Sequence, residues 1–217
     1  MKILIACEES QRVCKEFRKL GHEAYSCDIE PCSGGHEEWH IQNSVLPLLK
    51  GNCEFYTVNG LMHRIDGKWD MIIAFPPCTY FSTAGANWLF RGGELNQERY
   101  EKGLEMKKLF MSIYSADCER IAIENPTHMK IWGLPEKSQV IQPYLFGEPY
   151  TKRTCLWLKG LPLLCPTNKV EPISRWVSAG YKGHSDNAVC KSAGKKRSKT
   201  FLGIAKAMAE QWGQIVD

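Results

Sequence analysis

Apolar and polar residues recur along the chain with two different periods, which predict strands and helices in turn. Residues 3–6 are continuously apolar and predict a short buried strand. Ser10 is a candidate N-cap for a helix in which Val13 and Phe17 fall on one face. Residues 22–28 predict a second strand. Because a strand, a helix and a strand in this order begin a βαβ unit, the pattern favours a parallel sheet.

The rest of the chain predicts a hairpin, further strands and two long helices. Apolar runs over 54–58 and 61–65 flank Asn59-Gly60, a pair that favours a two-residue type I′ turn. The other predicted elements are strands over 69–75, 120–123 and 154–158, and helices over 96–117 and 201–215. Together they predict an α/β fold, a single-domain Rossmann-like sandwich with a mostly parallel sheet and a β-hairpin insertion.

Composition narrows the class of protein without changing this picture. A length of 217 residues suits one domain spanning 1–217, and 43% hydrophobic with 24% charged residues excludes disordered and fibrous classes. The N-terminal apolar run is too short for a signal sequence or a membrane span. We therefore expect a cytoplasmic protein without a membrane partner, in which the ten cysteines are reduced.

Charge is distributed unevenly along the chain. The formal net charge is +4, yet residues 150–217 carry twelve Lys and Arg against four Asp and Glu. Residues 159–199 are rich in Pro, Gly, Ser and Lys and predict a basic, loop-rich segment. Such a region is typical of a surface that faces a polyanion, and the alternative is a solvated charged tail.

The candidate chemistry lies where predicted strands end, because open parallel sheets bind ligands beyond the carboxyl ends of their strands. A cysteine on a rigid Pro-Pro corner is a candidate nucleophile, and a carboxylate at a neighbouring strand end is a candidate acid. For a single cysteine, the alternative is a small buried packing residue. The strand ends are residues 7–10 (Cys-Glu-Glu-Ser), Asp28, residues 76–78 (Pro-Pro-Cys) and residues 124–126 (Glu-Asn-Pro).

Two of these segments resemble the motifs of carbon-5 cytosine methyltransferases. Residues 76–82 (Pro-Pro-Cys-Thr-Tyr-Phe-Ser) are similar to the family's Pro-Cys motif, and residues 123–126 (Ile-Glu-Asn-Pro) to its Glu-Asn-Val motif, with Pro for Val. The resemblance implies a methyltransferase sandwich that uses S-adenosylmethionine to methylate carbon 5 of cytosine in DNA. It implies that Cys78 attacks carbon 6, that Glu124 donates a proton to N3, and that Arg153 orients the cytosine.

The resemblance also implies a cofactor site. Asp28 matches an acidic residue that binds ribose hydroxyls, Ile29 would pack on the adenine, and Asn43 would lie near the adenine amino group. The family's glycine-rich first motif is replaced by residues 7–11, which contain no glycine, and Glu8 or Glu9 could bind the cofactor's ammonium. The implied cofactor-binding residues are Cys7, Glu8, Glu9, Ser10, Asp28, Ile29, Asn43 and Pro76.

The chain is shorter than most of that family and resembles its small, virus-borne members with a Cys-Glu-Glu-Ser turn. Residues 159–199 stand where a target-recognition domain is expected. A loop over 83–99 would close on a flipped base. RNA and free nucleotide remain alternative substrates. The candidate nucleic-acid contacts are Ser82, Arg91, Arg175, Lys182, Lys195, Lys196 and Arg197.

Three other readings are weaker. A Cys-His hydrolase with His128 as base would leave the Phe-Ser and Glu-Asn-Pro contexts unexplained. A non-catalytic nucleic-acid- or nucleotide-binding protein on the same fold is suggested by the first turn without glycine. The cysteine and histidine pairs of a possible zinc site are too close together for a zinc finger, so no metal is expected; they are Cys27, Cys32, His36 and His40.

Overall fold

The computed structural model describes residues 1–175 and 198–215. The helices in this part of the chain are α1 (Arg12–Lys19), α2 (Ala86–Leu89), α3 (Gln97–Tyr114) and α4 (Leu202–Trp212). The strands are β1 (Lys2–Ala6), β2 (Glu23–Asp28), β3 (His40–Gln42), β4 (Cys53–Tyr56), β5 (Met62–Ile65), β6 (Met71–Ala74), β7 (Phe90–Arg91), β8 (Glu94–Leu95), β9 (Ile121–Pro126), β10 (Gln139–Ile141), β11 (Tyr150–Thr151), β12 (Thr154–Lys159) and β13 (Ser174–Arg175).

A seven-stranded sheet in the order β3-β2-β1-β6-β9-β12-β10 forms the centre of the molecule. The strands from β3 to β9 are parallel, whereas β12 runs antiparallel to both of its neighbours. The prediction of an α/β fold with a mostly parallel sheet is therefore confirmed. The chain order reverses between β1 and β6, which is the point where doubly wound sheets of Rossmann type bind their ligands.

Alternating side chains of the strands build two cores, one on each face of the sheet. On one face, Leu4 and Ile72 pack in the cluster that contains Phe110 of α3. On the other face, Ile3 and neighbouring side chains pack with α1 and with α4, where Trp212 is fully buried. This alternation is the period-2 pattern of strands covered on both faces, and it gives a layer of helices on each side of the sheet.

The predicted hairpin insertion is present as β4 and β5, but its predicted type I′ turn is wrong. Only Gly60 has a positive φ, of 83°, whereas a type I′ turn needs positive φ at both central residues. The Gly60 N–H donates to the Thr57 carbonyl at 2.8 Å, and the Thr57 N–H donates to Leu61 at 3.0 Å. The connection is thus a longer turn with a glycine bulge.

The long helix predicted over 96–117 is observed as α3, and Asn96 caps it. The Asn96 Oδ1 accepts a hydrogen bond from the Arg99 N–H at 3.0 Å, which satisfies a donor of the first turn. In the basic segment, residues 159–175 and 198–199 are described, and the first of these stretches contains β13, which pairs with β11. None of the helices in the described ranges has the length and apolar character needed to cross a bilayer.

Candidate functional site

The structure brings the predicted site segments to one edge of the sheet. Ala6 at the end of β1 pairs with Ala74 at the end of β6, and Ala74 pairs in turn with Ile123 of β9. The residues that follow these strands therefore leave the sheet side by side. Because β12 is antiparallel, its beginning lies at this same edge, and Arg153 immediately precedes it.

Residues 76–83, which we name the Cys78 loop, are fixed against the residues that follow β9. The Asn125 side chain donates from Nδ2 to the Pro76 carbonyl at 2.8 Å. Farther along, the Thr83 N–H donates to the Thr127 carbonyl at 3.2 Å, and the Met129 N–H donates to the Phe81 carbonyl at 3.0 Å. The two segments that carry the Pro-Pro-Cys and Glu-Asn-Pro motifs are thus hydrogen-bonded to each other at both ends of the Cys78 loop.

Asn125 and Arg99 are positioning residues that the sequence did not single out. Asn125 is 1% exposed, and its Oδ1 has no hydrogen-bond partner among the described residues. Arg99, from α3, donates to the Thr79 carbonyl at 2.7 Å and lies 5.0 Å from the Tyr80 ring centre. Asn125 could have been found from the sequence, because it lies within the Glu-Asn-Pro motif. The residues around Arg99 contain no motif that would have indicated its contact with the Cys78 loop.

Cys78 differs from most of the other cysteines in its exposure. Of the nine cysteines in the described ranges, only Cys78 and Cys165 are exposed, and none forms a disulfide. Burial raises the pKa of the Cys27 thiol to about 12, with the nearby Asp28 as a smaller cause. It likewise raises the pKa of Cys7 and Cys14 well above the ordinary thiol range. These thiols stay protonated and packed, so the exposed Cys78 is the cysteine best placed to react at this edge.

Glu124 and Arg153 come from adjacent antiparallel strands. Glu124 is half-buried near the end of β9 and lies directly opposite Leu156 of β12. Arg153 is exposed, whereas its neighbour Lys152 is half-buried and places its ammonium 5.9 Å from the Phe201 ring centre. Of these two basic residues, Arg153 is therefore the one with its side chain free of the core.

Residues 7–11, which we name the first turn, adopt an unusual backbone. Cys7 and Gln11 have φ of 57° and 55°, which places two non-glycine residues in the left-handed region. Each such residue costs about 1 kcal/mol or more, and this kind of strain concentrates at functional sites. The first turn therefore follows a path normally reserved for glycine, although it contains none.

Glu8 points into the protein and serves as an acceptor for helix α1. It is 4% exposed; its Oε1 accepts from the Val13 N–H at 2.7 Å and its Oε2 from the Cys14 N–H at 3.2 Å. Burial raises the pKa of Glu8 to about 7, against the lowering effect of these hydrogen bonds. Glu8 thus takes the capping role predicted for Ser10, which was wrong, since Gln11 is the residue that precedes α1.

The rest of the first turn holds the loop that follows β2. Gln11 is fully buried, and its side-chain amide donates from Nε2 to the His36 carbonyl at 2.8 Å. Its Oε1 accepts from the Cys32 thiol at 3.0 Å. Glu9 accepts a hydrogen bond from the Ser33 hydroxyl and lies 3.7 Å from the Lys199 ammonium. Glu8 and Glu9 are therefore both engaged within the protein.

The residues predicted to bind the adenosine lie at the ends of β2 and β3. Asp28 is half-buried, and burial raises its pKa above the ordinary value. One of its oxygens accepts from the Glu30 N–H at 2.9 Å. Ile29 is 74% exposed, and the exposed Asn43 uses its Oδ1 to accept from the Ser44 N–H at 2.7 Å. This edge offers a carboxylate beside an uncovered aliphatic side chain.

The predicted nucleic-acid contacts are only partly described. Ser82 is half-buried and pairs with His128 in an isolated bridge, which makes it part of the loop's framework. Arg91 is exposed on the β7–β8 hairpin, with its guanidinium 5.4 Å from the centre of the Trp88 ring. Arg175 lies in β13. The other four, Lys182, Lys195, Lys196 and Arg197, lie outside the described residues.

A small cavity lies beside the Cys78 loop. Its volume is about 180 Å³, and it lies between the loop and the beginning of α3. Trp88, which borders it, is 58% exposed. The cavity is lined by Tyr80, Trp88, Asn96, Glu98, Arg99 and Lys102.

The structure also describes the residues of the two other candidate chemistries, the zinc site and the Cys-His hydrolase. His40 of the Cys/His group is fully buried and bonds to Ser26 at 2.9 Å, and His36 stacks on Trp39 with ring centres 3.8 Å apart. Within the described ranges, no group of three or more His, Cys, Asp and Glu is arranged to hold a metal ion. His128 lies beside the Cys78 loop, and burial lowers its pKa.

Comparisons of the sequence with known proteins place the chain in no family. No family model matches it, and no curated protein matches it either.

Proposed function

We propose that the protein transfers a methyl group from S-adenosylmethionine to carbon 5 of cytosine in DNA, with Cys78 as the nucleophile and Glu124 as the proton donor. The observation that carries the proposal is the direct hydrogen bonding between the Cys78 loop and the segment that follows Glu124. An exposed cysteine and a half-buried carboxylate are thereby held at adjacent strand ends. Both belong to motifs that resemble those of carbon-5 cytosine methyltransferases.

The order of the strands supports the same proposal. Six strands of the sheet point the same way in a Rossmann-like order, and the reversed strand β12 is inserted before the last of them, β10. This reversed strand is typical of methyltransferase sandwiches. It also brings Arg153 to the edge that holds Cys78, where a guanidinium favours a thiolate and can orient a base.

The residues at the edge fit S-adenosylmethionine on two counts. Asp28 offers an acceptor for ribose hydroxyls at the end of β2, and the exposed Ile29 offers an apolar surface for the adenine. Cys7 and Gln11 are left-handed, a conformation that glycine adopts at no steric cost, at the place where the family that the chain resembles has a glycine-rich motif. Glu8 is directed into α1, so Asp28 is the better candidate for a direct contact.

In the proposed reaction, the Cys78 thiolate forms a bond to carbon 6 of the cytosine, and Glu124 gives a proton to N3. Bound S-adenosylmethionine would supply the electrophilic methyl group. Carbon 5 then loses its proton to solvent, the bond between sulfur and carbon 6 breaks, and N3 returns its proton to Glu124. In duplex DNA the base must first leave the stack, at a cost of a few kcal/mol.

A covalent trap tests nucleophile and substrate together. DNA that contains 5-fluorocytosine should form a stable adduct when S-adenosylmethionine is present, because fluorine on carbon 5 cannot leave as a cation. Mass spectrometry of the digested complex should place the adduct on Cys78. The matched control is Cys165→Ala, which removes the other exposed cysteine of residues 1–175 and 198–215 and should leave the adduct intact. An adduct that persists in Cys78→Ala would contradict the assignment.

A methyl-transfer assay separates the three possible classes of substrate. Methyl transfer from labelled S-adenosylmethionine is measured to DNA, to RNA and to a deoxycytidine nucleotide under identical conditions. The proposal expects DNA to be the methylated substrate. Transfer to RNA or nucleotide alone would correct the substrate and keep the chemistry, whereas cofactor binding with transfer to none of them would overturn the proposal.

The inward orientation of Glu8 favours one alternative, a non-catalytic binding protein on the same fold. A first turn whose carboxylates are engaged within the protein has no acidic group left for the cofactor's ammonium. Calorimetry with S-adenosylmethionine separates the two functions. Absence of binding together with affinity for DNA would support the alternative, and saturable binding would support the enzyme.

A further inference from the structure

We propose that the groove along helix α1 binds the phosphate backbone of a nucleic acid, at a surface separate from Cys78. Two open cavities, of about 830 and 490 Å³, meet on this helix and share Lys15 and Lys19. The larger one lies between α1 and α4 and the smaller one near the end of α1. Six Lys and Arg line the two cavities against two Glu: Arg12, Lys15, Arg18, Lys19, Lys199 and Lys206 against Glu16 and Glu210.

Three of the cations are held in place without a carboxylate partner. Arg12 donates to the Thr200 carbonyl at 2.6 Å, Lys15 to the Gly34 carbonyl at 2.8 Å, and Arg18 to Ala24. None of the three forms an ion pair within the described part of the chain. A carbonyl orients a cation but leaves its net charge uncompensated. The groove therefore presents fixed positive charge, which attracts polyanions before contact.

The spacing of these charges suits a strand of nucleic acid. Arg12, Lys15 and Lys19 recur three and four residues apart and lie on one face of α1. They span roughly 10 Å of helix, the rise of about three nucleotides in one DNA strand. Lys206 of α4 stands on the opposite wall, so phosphates in the groove would meet cations on both sides. Lys206 also pairs with Glu210 at 3.6 Å, and Lys19 pairs with Glu16 at 2.6 Å.

A membrane surface fits this region less well. The apolar residues of α1, namely Val13, Cys14 and Phe17, are fully buried against the sheet. The exposed apolar residues that line the groove are two leucines, Leu20 and Leu202, which are too few to form the continuous apolar face of an amphipathic membrane helix. The basic groove is also concave, whereas a bilayer is flat on this scale.

The test measures binding of the whole protein without S-adenosylmethionine, so that it does not depend on the proposed reaction. Fluorescence anisotropy would follow labelled single-stranded DNA, the matching duplex, and RNA at about 50 and 200 mM salt. The groove variant is Lys15→Glu with Lys19→Glu. Its matched control is Lys50→Glu with Lys108→Glu, which changes the net charge equally at exposed lysines outside the groove.

The groove variant should bind about tenfold or more weakly at low salt, with a salt slope reduced by roughly two, while the control stays within about twofold. Lys206→Glu, whose side chain is 64% exposed, should weaken binding by about threefold and cannot disturb α1. Circular dichroism checks that each variant is folded. Equal losses in groove and control variants would overturn the proposal. So would no binding by the native protein, or preferential binding to phosphatidylserine vesicles.

Discussion

The first turn and the Cys78 loop follow neighbouring strands of one sheet, yet they differ in the exposure of their functional side chains. Glu8 and Gln11 of the first turn are buried and hydrogen-bonded to α1 and to the next loop. Cys78 and Thr79 are exposed, while the Cys78 loop is held by backbone hydrogen bonds and by the fully buried Phe81. In the first region the polar side chains are turned inward as hydrogen-bonding groups; in the second an apolar anchor and the backbone hold the loop, and the cysteine side chain stays exposed.

One strand end thus stabilises the fold, and the other presents a reactive side chain. Buried polar groups need partners, so the first turn gains a unique conformation but loses groups that could contact a ligand. The Cys78 loop is instead fixed by backbone hydrogen bonds, by Asn125 and by the buried Phe81, so the thiol can be exposed without weakening the core. We therefore expect substitutions in the first turn to change stability and substitutions in the Cys78 loop to change reactivity.

The largest expected effect is on chemistry. Cys78→Ala should lower methyl transfer by at least about 10³-fold, because Cys78 is the exposed thiol that the described residues place at this edge. The free energy of unfolding should change by less than about 0.5 kcal/mol, since the side chain is exposed. Radiometric assays and urea denaturation measure the two quantities. A loss of stability comparable to a core substitution would contradict the separation of roles.

The next largest expected effect is a loss of stability caused by a steric clash in the loop that follows β2 and packs on the first turn. A Cβ added at Gly34 would lie 2.5 Å from Gln11 Cβ and 2.7 Å from the Ser10 carbonyl oxygen. Gly34→Ala should therefore destabilise the fold by about 2–3 kcal/mol in urea denaturation. The matched substitution beside the Cys78 loop is Gly85→Ala, whose added Cβ would lie 3.0 Å from the Arg99 side chain and 3.3 Å from a backbone carbonyl oxygen of the loop. It should cost about 1 kcal/mol; equal losses would contradict the comparison.

Glu8→Ala should destabilise the protein by about 2 kcal/mol, because the Val13 and Cys14 N–H groups lose their acceptors in a buried place. Glu8→Gln keeps one acceptor oxygen and should cost about half as much. Thermal unfolding at fixed pH measures both. If neither variant loses stability, water satisfies the start of α1 and the capping role of Glu8 is wrong.

The same residue gives a pH dependence with a defined sign. The pKa of Glu8 is about 7 in the folded protein and near 4.5 when unfolded. Between these values the folded chain keeps a proton that the unfolded chain has released. The free energy of unfolding should therefore fall as pH rises from about 4.5 to 7, by roughly 2 kcal/mol. The difference between wild type and Glu8→Gln isolates this contribution, and parallel curves would contradict it.

Much of the fold could be predicted from the sequence because it rests on strong local patterns. The short, continuously apolar segments that form β1 and β6 are typical of strands buried on both faces of a parallel sheet. Helix α3 begins after Asn96, a residue type that favours the N-cap position. The meeting of the Cys78 and Glu124 segments followed from the rule that parallel strands end at one edge.

The errors arose where tertiary contacts override local preference. Ser10 is a better helix cap than Gln11 in isolation, but Glu8 reaches the N–H groups of α1 from outside the expected positions. The left-handed conformation of Cys7 is disfavoured locally and is imposed by the strand that precedes it and the helix that follows. Arg99 reaches the Cys78 loop from another element, a contact that no short pattern records.

The packing of the antiparallel strand β12 determines which parts of the edge near Cys78 can change in sequence without moving Arg153. Its side chains are large on both faces, with Trp157 packed in one core and Leu156 in the other. A shift of β12 by one residue would exchange these faces, so the two cores together fix its alignment with β9. Arg153 immediately precedes β12, so the alignment of this strand sets where the Arg153 backbone reaches the edge. The more distant parts of the connections on either side of β12 can change in length or composition while the Arg153 backbone keeps that place.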